Sequence, residues 1–127
     1  MDFPSDPKYS KDHEWLRVAE DGTAEVGITA YAASELGDIV YIDIESEDET
    51  LEINATFGSV EAVKTVSDLF MPVGGTVLSK NEELDDNPEV VNEDPYGAGW
   101  MVKIQITNLD ELGELMDADT YSAMVTA

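Results

Sequence analysis

The apolar residues of this chain come in short alternating runs, each closed by turn-forming residues. That rhythm restricts the chain to a mainly β fold. Trp15 to Ala19 reads as a first strand, and Thr23 to Ile28 as its partner across the turn at Asp21-Gly22. Ala30 to Leu36 breaks the rhythm, being rich in Ala, Glu and Leu; with Thr29 as N-cap and Gly37 as stop, it is expected to form a short helix. Asp38 to Ile44 returns to strand, with Val40, Ile42 and Ile44 on one face and Tyr41 and Asp43 on the other. From Leu51 to Lys80 several short strands follow, with turns expected at Ser67-Asp68 and at Pro72 to Gly75. Residues 81 to 99 read as loop, through Asn87-Pro88, Asp94-Pro95 and Gly97-Ala98-Gly99. Trp100 to Ile106 is the clearest strand, with Trp100, Val102, Ile104 and Ile106 alternating against Met101, Lys103 and Gln105. Asn108 then caps a helical C-terminus, in which Leu109, Leu112, Leu115 and Met116 form an apolar core stripe, with Tyr121, Met124 and Val125 as a second set.

Length and composition narrow the function. A chain of 127 residues, 43% hydrophobic and without a linker or compositional break, is expected to be a single domain over 1–127. No apolar run is long enough to span a bilayer, and the N-terminal residues have neither signal-peptide nor transit-peptide character, so a cytoplasmic location is expected. There is no cysteine, which excludes disulfides, thiolate nucleophiles and thiolate metal sites. With His13 as the one histidine, neither a metal centre nor a Ser/His/Asp triad finds support, and no G-x-S-x-G elbow is present. The run Glu45 to Thr50 is acidic but lacks the spacing of a calcium loop.

Asp and Glu number 29 against 6 Lys plus Arg, a formal net charge of −23. Such a surface repels nucleic acid and anionic membranes. It has two readings: a solvated surface suited to a salty cytoplasm, or an acidic patch aimed at a basic partner.

One segment carries chemistry: Gly58-Ser59-Val60-Glu61-Ala62-Val63-Lys64-Thr65-Val66-Ser67-Asp68-Leu69. Lys64 lies between strand-forming runs, as a lysine at a hairpin tip would. Its amine ends a flexible four-carbon stem and can be acylated, which lengthens the arm and removes its charge. Taken alone, it reads more readily as an ordinary surface lysine in a strand turn.

Four blocks in order carry a resemblance to the glycine cleavage H protein family, from about Tyr9 to Val125. They are His13-Glu14-Trp15; Gly27-Ile28-Thr29 with Leu36-Gly37-Asp38-Ile39-Val40; Glu61-Ala62-Val63-Lys64 with Ser67-Asp68-Leu69 and Pro72-Val73-Gly74-Gly75; and Asn92-Glu93-Asp94-Pro95-Tyr96-Gly97-Ala98-Gly99-Trp100. The resemblance implies a barrel-sandwich hybrid of the lipoyl/biotinyl-carrier type, with a short internal helix and a C-terminal helical segment. It implies lipoate attached to Lys64, with Glu61 and Gly75 at positions read by the lipoate-attaching enzyme. Glu14 and Asp68 match positions that hold the aminomethyl-loaded arm in a cleft.

The chain would then be a carrier and not an enzyme, with no catalytic residue and no metal. Its partners would be glycine decarboxylase (P protein, pyridoxal-phosphate dependent), the tetrahydrofolate-dependent aminomethyltransferase (T protein) and dihydrolipoamide dehydrogenase (L protein). Ala62 and Met71 depart from the family's serines, and Asp12 and Glu35 place carboxylates where members often have uncharged or His side chains. The alternatives are a biotinyl domain, against which Val63 and Thr65 argue, and a lipoyl carrier serving a 2-oxoacid dehydrogenase or lipoate transfer.

Overall fold

The computed structural model describes residues 3–126; Met1, Asp2 and Ala127, the ends of the expected 1–127 span, lie outside the described residues. The described elements in chain order are β1 (Lys8–Tyr9), β2 (Glu14–Val18), β3 (Thr23–Ile28), α1 (Ala30–Leu36), β4 (Ile39–Asp43), β5 (Thr50–Leu51), β6 (Thr56–Ala62), β7 (Val66–Phe70), β8 (Gly75–Lys80), α2 (Glu83–Asp86), α3 (Val90–Glu93), β9 (Val102–Ile106), a 3-10 helix (Leu109–Glu114) and α4 (Ala118–Thr126). Two antiparallel sheets result, a six-stranded one in the order β1-β2-β3-β9-β8-β5 and a three-stranded one in the order β4-β6-β7. Leu16, Val26 and Ile104 from the first meet Ile42, Val60 and Leu69 from the second in one core. Tyr9, Trp15 and Tyr121 build a smaller cluster, where the Tyr9 and Tyr121 rings stack at 4.8 Å.

The mainly β architecture and the short helix match the sequence reading, down to the cap. The Thr29 side chain accepts a hydrogen bond from the Ala32 N–H, and Gly37 stops the helix at φ 81°. Several local expectations are corrected. Ser67 and Asp68 lie within β7, paired with Val60 and Ser59, and the turn falls earlier, at Val63 to Thr65. Val40 is not on the buried face with Ile42 and Ile44. The register shifts between Ile39 and Tyr41, so Ile39 is buried instead and Val40 is 47% exposed.

Residues 81–99 are not all loop, because Leu84 and Val91 are buried and each anchors a one-turn helix, α2 and α3. The last strand starts at Val102, and Met101, expected on the outer face, is fully buried. The C-terminal stripe also divides. Leu115 is extended and Met116 bridges Tyr9, so the 3-10 helix and α4 are separate and Leu109 is 62% exposed. Trp15 is fully buried, whereas Trp100 is partly buried beside the aromatic cluster.

Candidate functional site

The hairpin β6–β7 positions Lys64. Glu61 pairs with Val66, and the Ala62 N–H donates to the Thr65 carbonyl at 2.8 Å, closing a two-residue loop of Val63 and Lys64. Lys64 is exposed, with Val63 at 75% and Val66 at 63% exposure beside it. The Val63 N–H donates to the Asp38 carbonyl at 3.0 Å, which ties the tip to the segment leaving α1. The Lys64 stem lies over Gly37, where a Cβ would sit 3.3 Å from Cε.

Beside the hairpin, α1 and the start of β2 enclose a cleft of about 320 Å³. Ile28, Leu36, Val60 and Leu69 give it apolar walls, and Asp12, Glu14, Glu35 and Asp68 contribute carboxylates. Glu14 lies deepest, only 2% exposed. Its Oε2 accepts from the Phe70 N–H at 2.9 Å and its Oε1 from the Ser10 hydroxyl at 3.2 Å. Burial pushes its pKa up to about 8, against the pull of the Phe70 N–H and with a smaller push from Asp12. Asp68 differs: it is exposed on β7, and no hydrogen bond or ion pair occupies its carboxylate among the described residues.

His13 also lines the cleft, in the left-handed region at φ 69°. Its Nδ1 lies 2.8 Å from the Tyr121 hydroxyl, which in turn lies 2.8 Å from Thr29 Oγ1. Burial lowers the His13 pKa, against Asp12 and Glu35, which raise it. A neutral ring there adds no positive charge to the cleft.

The structure brings Glu14 and Asp68 together on the cleft and puts Glu61 on β6, opposite Val66 and next to the tip. Gly75 sits elsewhere. It is buried in the six-stranded sheet, paired with Leu51 and Ile106, and a Cβ there would lie 2.8 Å from the Gln105 carbonyl oxygen. Its position therefore has a packing cause, and a surface-binding enzyme would sense it only through the backbone path it permits. Asp12 and Glu35 both line the cleft, while Ala62 and Met71 are buried.

Sequence reasoning missed Tyr31, Ser10 and the Tyr121 link. Tyr31 was accessible, since it stands four residues before Glu35 and so shares its helix face. Ser10 lies four residues before Glu14 in a loop with no recognisable motif, and Tyr121 carried no local signal because its partners His13 and Thr29 are 108 and 92 residues away. Among the described residues no His/Cys/Asp/Glu group has metal-binding geometry, and no helix is long and apolar enough to cross a membrane.

A family model described as glycine cleavage H-protein matches residues 7–127. The glycine cleavage system H protein of Salinibacter ruber is 60% identical over 122 residues, covering 96% of this chain and 98% of that protein. Its counterpart in Bacteroides fragilis is 52% identical over 127 residues, covering all of both chains. The crystal structure of a glycine cleavage system H protein from Mycobacterium marinum superposes with a TM-score of 0.90 at 38% identity, covering 98% of this chain and 100% of that one.

Proposed function

The chain belongs to the glycine cleavage H-protein family, the non-catalytic lipoyl carriers of the glycine cleavage system, and on that premise we propose that Lys64 bears the lipoyl group. The observation that carries this assignment is the placement of one exposed lysine at a closed hairpin tip beside a cleft with apolar walls and carboxylates. That setting suits the group: an amide at Nζ lengthens the stem without adding charge, and the apolar walls accept an aliphatic chain. When bound, the lipoyl disulfide supplies the sulfur that takes up an aminomethyl group.

The chain's own residues bind and shield. Asp68 at the cleft rim faces the amine of the cargo, which is cationic at neutral pH, and holds it through a charge-assisted hydrogen bond. Glu14 at the floor, its pKa raised to about 8 by burial, offers the same amine a neutral carboxyl oxygen as a further acceptor. Asp12 and Glu35 add negative potential to the same space. Ile28, Val60 and Leu69 keep water from the carbon–nitrogen bond of the cargo. Glu61, exposed beside the tip, serves the lipoate-attaching enzyme as a contact, and Gly75 serves it by keeping the β8–β9 path close.

In this reading the chain acts as one domain in the cytoplasm, tethering the arm at high local concentration for three enzymes in turn. These are the P-protein decarboxylase, the T-protein aminomethyltransferase and the L-protein dehydrogenase. The net charge of −23 is read as adaptation to a salty medium.

Peptide-level mass spectrometry of natively sourced protein, beside a Lys64→Ala variant, tests the assignment. A lipoyl increment confined to the Lys64 peptide and absent from the variant is the expected result. A biotinyl increment there, or natively sourced protein with an unmodified Lys64, would overturn it.

A further inference from the structure

Resting on the assignment of the arm to Lys64, we infer that Asn92 and Tyr96 are positioning residues that brace α1 at both ends and so fix the arm's root relative to its cleft. The block Asn92 to Trp100 is not part of the cleft lining, yet its side chains reach the segments that are. At the start of α1 the Ala30 N–H donates to the Tyr96 hydroxyl at 2.9 Å. This satisfies one of the backbone donors that a helix N-terminus leaves open. At the other end Asn92 works both ways. Its Nδ2 donates to the Gly37 carbonyl at 2.9 Å, and its Oδ1 accepts from the Ile39 N–H at 3.0 Å. Between those two contacts lies Asp38, whose carbonyl accepts the Val63 N–H at 3.0 Å, one residue from Lys64.

The brace is anchored to the larger sheet. Asn92 sits on α3, whose Val91 is fully buried, and the Pro95 carbonyl accepts the Trp15 indole N–H at 2.8 Å. The Tyr96 carbonyl accepts from Arg17 Nη1 at 2.7 Å. Trp15 and Arg17 belong to β2, the strand that also supplies Glu14. The face of α1 that bears Tyr31, Glu35 and Leu36 forms a cleft wall. One support therefore holds the wall and the tip in a single geometry. Without it, α1 keeps its core contact through Ala33, but its exit and the hairpin tip lose their shared reference.

Amide hydrogen exchange on Asn92→Ala, Asn92→Asp and Tyr96→Phe tests this, together with lipoyl attachment by the lipoate-attaching enzyme in the same preparations. The informative amide is that of Val63, whose own acceptor no variant alters. It should exchange about tenfold faster in Asn92→Ala, the factor expected when a local bond pair is lost. The amides of Leu16, Val26 and Ile104 in the larger sheet should keep their rates, which a general loss of stability would not allow. Attachment should slow through a higher KM at unchanged kcat. Asn92→Asp keeps the acceptor for Ile39 without the donor for Gly37, so it should fall between, and it carries the comparison if Asn92→Ala does not fold. Tyr96→Phe should speed exchange at Ala30. Unchanged exchange at Val63 in both Asn92 variants would overturn the brace. A wild type that acquires no lipoyl group would count instead against Lys64, leaving the exchange data to judge the brace.

Discussion

Glu14 and Asp68 are both acidic and both on the cleft, but the physics of the two positions differs. Glu14 is 2% exposed, and its pKa is pushed up to about 8, so folding binds a proton that the unfolded chain releases near its ordinary 4.5. The native state then holds more protons than the unfolded state between those values, and stability falls as pH rises through that window. Glu14→Gln keeps an acceptor for the Phe70 N–H, puts an amide donor where Oε1 accepts from the Ser10 hydroxyl, and removes the titration. Its stability relative to wild type should therefore climb from pH 4.5 to 8 by an amount on the order of a few kcal/mol, read from paired denaturant titrations. A difference that stays flat with pH would show that Glu14 does not titrate in that window. Asp68 is exposed, and Asp68→Asn should leave the unfolding midpoint almost unmoved. It should speed loss of the cargo to water roughly fivefold, the factor for about 1 kcal/mol at a partly solvated charge pair. Following that loss by ammonia release checks the assignment.

At the scale of elements, Gly75 separates two explanations. If the glycine permits close passage of β8 along β9, a Cβ 2.8 Å from the Gln105 carbonyl forces the backbone apart. Gly75→Ala should then cost about 1–3 kcal/mol in denaturant unfolding. Unchanged stability with impaired lipoyl attachment would show that the enzyme senses the residue directly. The hairpin and α1 show how far local sequence reaches. The Thr29 cap and the Gly37 stop were legible because each acts on residues within a turn of itself. The place of the β6–β7 turn was not. Ser67 and Asp68 look like turn residues, but the pairing of Val60 with Ser67 and the burial of Leu69 keep them in strand. The displaced Val40 has the same origin, since a bulge belongs to two strands at once.

Over the whole molecule, charge is the dominant long-range term. The described residues form two ion pairs, Arg17–Asp6 at 2.6 Å and Lys80–Asp85 at 3.3 Å, against a net charge of −23. Most carboxylates therefore repel one another without local relief, and added salt should stabilise the fold by screening. The thermal midpoint should rise as sodium chloride is taken from millimolar toward molar, and a midpoint that falls would reject the salt-adapted reading. If its partners are equally acidic, docking should tighten with salt as well, which titration of a partner enzyme at several salt concentrations would reveal.

Composition and short-range pattern were enough for a mainly β chain with a short internal helix, a lysine between strand-forming runs and no cysteine, and the four family blocks added the carrier reading. These features depend on periodicity, caps and residue chemistry, all of which act over a few positions. Only the tertiary structure decided that Glu14 is buried with both oxygens engaged, that Gly75 lies in the other sheet, and that Asn92 reaches the exit of α1. Apart from the Ser10 contact of Glu14, four positions away, those outcomes depend on contacts 53 and 55 positions apart at Asn92, 56 apart between Glu14 and Phe70, and 30 apart between Gly75 and Gln105. Burial and hydrogen-bond partners at such separations are set when the sheets close over a shared core, and no local pattern in the chain encodes them.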